Sequence, residues 1–261
     1  MIEKCGKIMA KVAVFDSGLG SLSIIKSLQK ICKIEIIYFA DRKNFPYGSK
    51  TKGELGKIVR KTVKVLRDKF DPELIIVGSN TPTIILDIEN EGIIGVNPPV
   101  VEAIKKSKTK NIGILATKAL VQSKNLSNYI KNCNPPKKFV IHKIDASELI
   151  QIVESGKFLI EKKYCKEKIK ELLKTTISEK KIDVVTLSST HLTFLRPLLE
   201  SEFPDVLFVD PSDNVANIVC RKIKKDRKNN LLKIYSSDNT GTFEKTLMKM
   251  GIKKKIGFLS I

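Results

Sequence analysis

The sequence predicts an α/β fold of two similar domains with parallel-sheet cores, related by a pseudo-twofold and holding a ligand cleft between them. Three observations carry this. Short β-rich runs alternate with helical periods almost throughout, the mark of βαβ crossovers. Runs such as Leu74 to Val77 are continuously apolar, as strands buried on both faces must be. Finally, Leu74-Ile75-Ile76-Val77-Gly78-Ser79-Asn80-Thr81-Pro82-Thr83 resembles Val184-Val185-Thr186-Leu187-Ser188-Ser189-Thr190-His191-Leu192-Thr193 when Ser79 is laid on Ser189.

The elements follow in order. Lys11 to Phe15 reads as a strand. Ser21 to Ile31 reads as a helix with Ile24, Ile25, Leu28 and Ile31 on one face. Glu35 to Ala40 is the next strand. Lys52 to Phe70 is a helix with Leu55, Ile58, Val59, Val63, Leu66 and Phe70 inward, stopped by the turn signal Asp71-Pro72. Leu74 to Val77 is a strand, and Pro82 suits the first turn of the helix after it. Asn97-Pro98-Pro99 then punctuates the chain. Strands follow at Asn111 to Leu115, Phe139 to Ile141, Val184 to Leu187 and Val206 to Val209. After Ser188-Ser189-Thr190-His191 the repeat predicts a further helix. The strand Leu231 to Tyr235 and the helix Thr242 to Met250, capped by Gly251, are too few for a third domain and are expected to return to the first. The lobes are thus expected at 1–99 plus 211–261, and at 100–210.

Composition narrows the function classes. Of the 261 residues 42% are hydrophobic, enough for a packed core. No apolar run approaches the roughly 18 residues that span a bilayer, so no membrane partner is expected. Met1 to Lys11 is charged and runs straight into a strand, unlike a signal peptide. Five cysteines, odd in number and widely spaced, argue against a disulfide framework or zinc site and for a reducing cytoplasm. Cys32, Cys133, Cys165 and Cys220 read as packing or surface residues. With His142 and His191 the only histidines, no metal is expected. The net charge of +20 raises nucleic-acid binding. Against that, only six of the 48 basic residues are Arg, they are spread over most helices, and few aromatics lie among them. The dense run Arg221 to Lys228 reads as a solvated loop.

Ligands of parallel sheets bind beyond the carboxyl ends of the strands. Asp16-Ser17, Ser79-Asn80-Thr81, Thr117 and Ser189-Thr190-His191 all fall at such ends. Helix N-termini there suit a carboxylate. Taken singly, each of these sites also reads as plain helix capping. Gly18-Leu19-Gly20 offers part of a dinucleotide loop, but its third glycine is Ser23, and Asp16 sets a carboxylate where a pyrophosphate would approach.

These residues resemble the cofactor-independent aspartate/glutamate racemases, glutamate racemase in particular, over nearly the whole chain. The likeness rests on Val14-Phe15-Asp16-Ser17-Gly18-Leu19-Gly20, Tyr38-Phe39-Ala40-Asp41, Pro46-Tyr47-Gly48, Ser79-Asn80-Thr81, Val153-Glu154-Ser155-Gly156 and Ser189-Thr190-His191. It implies an acidic amino acid bound between two domains, no cofactor, and two bases that move the Cα proton from opposite faces. A homodimer is carried over as the family's common state. The family's bases are cysteines; the matching positions here are Ser79 and Ser189. Asp16 matches the helper of the first base, and Glu154 and His191 those of the second. Ser17, Pro46, Tyr47, Gly48, Asn80, Thr81, Thr117, Thr190 and His191 match the ligand contacts. Leu120 departs from a second threonine often found after the one at Thr117.

The serines touch the centre of that mechanism. A thiol has a reference pKa of roughly 8.5 and ionises readily where a site lowers it. A serine hydroxyl is far less acidic and needs an adjacent base. Weak racemase turnover and a catalytically silent amino-acid-binding or regulatory homologue therefore both follow from the sequence. A nucleotide-dependent enzyme and a charge-driven nucleic-acid binder are the remaining alternatives.

Overall fold

The structure, a computed structural model, describes residues 10–90, 92–223, 229–238 and 240–261. Cys5, most of the segment Met1 to Lys11 and most of the basic run Arg221 to Lys228 lie outside the described residues. The first stretch runs β1 (Lys11–Asp16), α1 (Leu22–Ile31), β2 (Glu35–Ala40), α2 (Lys52–Phe70), β3 (Leu74–Val77), α3 (Asn80–Leu86), β4 (Ile93–Gly95) and α4 (Val100–Lys106). The second runs β5 (Asn111–Ala116), α5 (Lys118–Gln122), α6 (Lys124–Asn132), β6 (Val140–Asp145), α7 (Ser147–Glu154), α8 (Lys157–Ile160), α9 (Lys162–Glu179), β7 (Val184–Leu187), α10 (Arg196–Glu202) and β8 (Leu207–Val209). The chain closes with α11 (Ser212–Lys222), β9 (Leu231–Ser236), α12 (Thr240–Lys249) and β10 (Ile256–Phe258). Short 3-10 segments lie at Arg42–Asn44, Tyr47–Ser49 and Thr190–Leu195.

Two parallel sheets result, ordered β10-β9-β2-β1-β3-β4 and β6-β5-β7-β8. The last two strands join the first sheet beside β2. Strand alternation builds its two cores. Val12, Val14, Ile36 and Tyr38 face Ile24, Leu28, Val215 and Val219 of α1 and α11. Ala13, Phe15, Ile37 and Val77 face Leu55, Val59 and Leu66 of α2. In the second sheet Leu115, Val185 and Leu187 pack on α7 and α9, while Ile114 and Ala116 pack with Ile84 of α3 and Leu126 of α6.

In both sheets the strand order reverses at the centre. The chain leaves β1 to β2 on one side and returns to β3 on the other; β5, β6 and β7 repeat the pattern. Each reversal opens a crevice beyond the strand ends, the place where parallel sheets receive ligands.

Local chemistry explains most boundaries. Thr51 and Glu54 form a reciprocal capping box at the start of α2, and Asp71 ends it in a left-handed conformation at φ 45°. Some expectations change. Ile31 is 42% exposed, because Cys32, fully buried, takes the core position at the end of α1. Ile58 and Phe70 of α2 are only partly buried. The predicted helix after Ser189 is instead a 3-10 turn; the α-helix restarts at Arg196, where Pro197 finds its place in a first turn. Cys32 and Cys220 form a disulfide across α1 and α11, with Cα atoms 6.0 Å apart. The sequence read both only as packing or surface residues; they stand 188 positions apart, so spacing gave no sign of the pairing.

Candidate active site

Asp16 ends β1, and Ser79 follows β3, paired beside it; Gly78 donates its N–H to the Phe15 carbonyl at 2.7 Å. Thr117 follows β5 and Ser189 follows β7, joined likewise by the Ser188 N–H on the Leu115 carbonyl at 2.8 Å. Both serines therefore sit at the reversal point of their sheet. Both occupy N-cap positions with extended backbones, and neither side chain caps its helix. Thr117 does cap, accepting the Leu120 amide at 3.3 Å. Capping thus accounts for Thr117 and not for the serines. Asp16 caps nothing either: it accepts the Ser17 amide at 2.6 Å, and Ser21, the N-cap residue of α1, makes no side-chain cap.

The two crevices meet. The Thr190 hydroxyl lies 3.0 Å from the Gly78 carbonyl and 3.4 Å from Asp16 Oδ2, so the residue after one serine is fastened to the residue before the other. Thr81 and Thr117 share a hydrogen bond of 3.0 Å between the two sheets. A Cβ on Gly48 would come within 3.1 Å of Thr117, which sets the Pro46-Tyr47-Gly48 turn against the same place. The Tyr47 hydroxyl donates to Asp41, whose carboxylate also accepts from Asn44 and Ser237, so the Tyr47 side chain anchors this turn from beneath. Asn80 donates to the Val96 carbonyl at 2.9 Å and leaves its buried Oδ1 without a partner among the described residues. That oxygen is an acceptor suited to an ammonium group. Leu120 is fully buried in the core between Ile84 and Leu126, consistent with the absence of a polar contact there.

Glu154 enters from the end of α7, its side chain only 6% exposed. Its Oε2 accepts from the Leu19 amide at 2.9 Å and from His191 Nε2 at 3.1 Å; its Oε1 pairs with Arg42. Arg42 was not singled out from the sequence. These contacts also explain the glycine pair. A Cβ at Gly18 would collide with the Glu154 carboxylate, and one at Gly20 would lie 2.6 Å from Asp16 Oδ2 and from His191 Nδ1.

The charges act on each other. Burial pushes Asp16 above its ordinary carboxylate value, against the pull of the His191 charge and the Ser17 amide. Burial also pushes Glu154 upward, but His191, Arg42 and the Leu19 amide outweigh it and hold that carboxyl low. For His191 burial favours the neutral ring; the bond to Glu154 and the charges of Asp16 and Glu154 prevail and raise it above 6.5. Asp16 therefore takes up a proton more readily than an ordinary aspartate, and His191 keeps its proton more firmly than an ordinary imidazole. Among the described residues no hydrogen bond joins the Ser79 or Ser189 hydroxyl to any of the three, and no group of three or more His, Cys, Asp or Glu is placed to hold a metal.

No protein-family profile matches the chain. Among known proteins it is similar to glutamate racemase 3 of Caldanaerobacter subterraneus subsp. tengcongensis, with 28% identity over 210 residues, 78% of this chain and 75% of that one. It is 27% identical over 253 residues to the glutamate racemase of Lactobacillus acidophilus, covering 90% of each. Its fold matches that of glutamate racemase isoform RacE1 from Bacillus anthracis, at TM-score 0.81 and 22% identity over 97% of each chain. It also matches Escherichia coli glutamate racemase in complex with L-glutamate and the activator UDP-MurNAc-Ala, at TM-score 0.80 and 21% identity over 97% of this chain and 98% of that one. The chain is thus similar in sequence to glutamate racemases, and it shares the fold of the solved ones.

Proposed function

We propose that this chain is a glutamate racemase-like protein that binds glutamate, or a similar acidic amino acid, between its two lobes and moves the Cα proton between opposite faces. Ser79 and Ser189 stand where the family has its two thiols. Asp16 serves the Ser79 side, and His191 with Glu154 serves the Ser189 side. Ser17, Pro46, Tyr47, Gly48, Asn80, Thr81, Thr117 and Thr190 hold the ligand. We assign the lobes to 1–99 plus 211–261 and to 100–210, and the chain to the cytoplasm as a homodimer that uses no cofactor. Its D-amino acid is of the kind that cell-wall biogenesis consumes. Among the described residues no helix is long and apolar enough to cross a membrane.

The observation that carries this reading is the Thr190 hydrogen bond to the Gly78 carbonyl. It draws both serine-bearing strand ends, with Asp16 and His191 beside them, into one place. Calorimetric titration with L-glutamate, D-glutamate and both aspartate enantiomers tests it. Saturable one-site binding of a glutamate enantiomer is expected. Failure of all four to bind at millimolar concentration, with the protein shown folded by circular dichroism, would overturn it.

A second reading has its own observation. Among the described residues neither serine hydroxyl is hydrogen-bonded to a base, and serine without an adjacent base is a poor proton acceptor. A catalytically silent amino-acid-binding or regulatory homologue is then the alternative. It predicts glutamate binding with no exchange of the Cα proton.

A further inference from the structure

Arg42 reaches Glu154 from the turn after β2, one sheet touching the other. Its side chain is 22% exposed. The guanidinium also lies over the ring of Phe243 on α12, 5.0 Å from its centroid. Phe243 is 1% exposed and packs against Tyr38, whose hydroxyl donates to the Gly18 carbonyl. The aromatic face fixes where the cation stands. The Glu154 carboxylate is divided by this arrangement: Oε1 goes to Arg42, Oε2 to the Leu19 amide and to His191. The charged groups facing the imidazole are Asp16 from β1, Glu154 from α7 and Arg42 from the turn after β2. The buried Tyr38 hydroxyl faces the two carboxylates from β2.

We propose that Arg42 is a positioning residue for His191, dividing the Glu154 carboxylate between its own guanidinium and the imidazole. This rests on the reading of His191 and Glu154 as the helpers on the Ser189 side, and gives that side a fourth member. With Arg42 in place, one Glu154 oxygen is neutralised and the pull on the imidazole proton is moderated. His191 then passes between its charged and neutral forms at a lower pH than a carboxylate of undivided charge would allow. The direct effect of the Arg42 cation on the ring has the same sign.

The chain has two histidines, so both imidazoles are resolved in an NMR pH titration of the intact protein without ligand. His142, on β6 and hydrogen-bonded to Asn111, is the internal reference, and His142→Asn assigns the signals. Arg42→Met is expected to raise the His191 midpoint by about half a pH unit or more, leaving His142 in place. Arg42→Lys, which keeps the charge, should return it toward wild type. In a Glu154→Gln background the Arg42→Met shift should fall to less than half. An unchanged or lowered His191 midpoint in Arg42→Met, or an equal shift in the Glu154→Gln background, would overturn the proposal. Should Arg42→Met not fold, Arg42→Gln takes its place with the same expectations. The measurement is made without amino acid, so its failure is separate from failure of glutamate to bind.

Discussion

The Thr190 hydroxyl stands 3.0 Å from the carbonyl oxygen of Gly78, each residue a direct neighbour of one of the two serines. Both ends of this bond are buried, and its donor is also 3.4 Å from Asp16 Oδ2. Thr190→Val keeps the shape and removes the donor. The buried carbonyl is then left with only the longer bond from the Ser21 hydroxyl, at 3.4 Å, and the loss should cost about 0.5–1.5 kcal/mol of unfolding free energy, read by urea denaturation. Glutamate affinity should fall with it, because the two strand ends lose their tie.

Gly20 and Gly53 form a matched pair. A methyl on Gly20 would lie 2.6 Å from Asp16 Oδ2 and from His191 Nδ1, whereas one on Gly53, in the first turn of α2, meets nothing within 4 Å. Gly20→Ala should destabilise by about 1–3 kcal/mol and abolish glutamate binding. Gly53→Ala should be neutral or stabilising by up to about 1 kcal/mol, with binding intact. Thermal melts and calorimetry of the two variants check this.

Stability should depend on pH through the buried charges, with opposite signs on the two sides. His191 is raised, so its contribution is fully present below 6.5 and is lost as pH rises through the folded-state value. Glu154 is lowered, so its contribution is present above 4.5 and is lost as pH falls through its folded-state value. Asp16 is raised and opposes Glu154 on the acid side, which makes the acid limb shallower. The denaturation midpoint should peak between pH 4.5 and 6.5. His191→Asn should flatten the decline above that window, and Glu154→Gln the decline below it. Urea midpoints measured from pH 3 to 9 decide the matter.

Much of this was legible in the sequence because it is periodic or punctuated. The apolar stripe and the Asp71-Pro72 stop mark α2, and the continuous apolar run marks β3. The likeness of the two serine segments points to two sheets reversing at matching places. The rest depends on partners far apart in the chain. Arg42 lies in the polar run Asp41-Arg42-Lys43-Asn44, which reads as an ordinary solvated turn, and its partner is 112 residues away. Its one local sign was being an arginine in a chain that otherwise prefers lysine. Cys32 and Cys220 are likewise brought together by the packing of α1 on α11, which no spacing announces. The strands β4 and β10 have three residues each, and in both a glycine, Gly95 and Gly257, breaks the apolar run. Glu154, a charged residue at a helix end, gave no sign of being buried until Gly18, Leu19 and His191 closed around it.

The central claim is that Ser79 and Ser189 flank the Cα of a bound amino acid in the places of two thiols. Proton NMR of L-glutamate and of D-glutamate in D₂O, with the protein carrying Ser79→Cys and Ser189→Cys together, tests it most directly. The account predicts that the Cα signal of each enantiomer disappears and that each converts into the other, far faster than with the wild-type chain. Persistence of the Cα signal over days, with the amino acid shown to be bound, would contradict it.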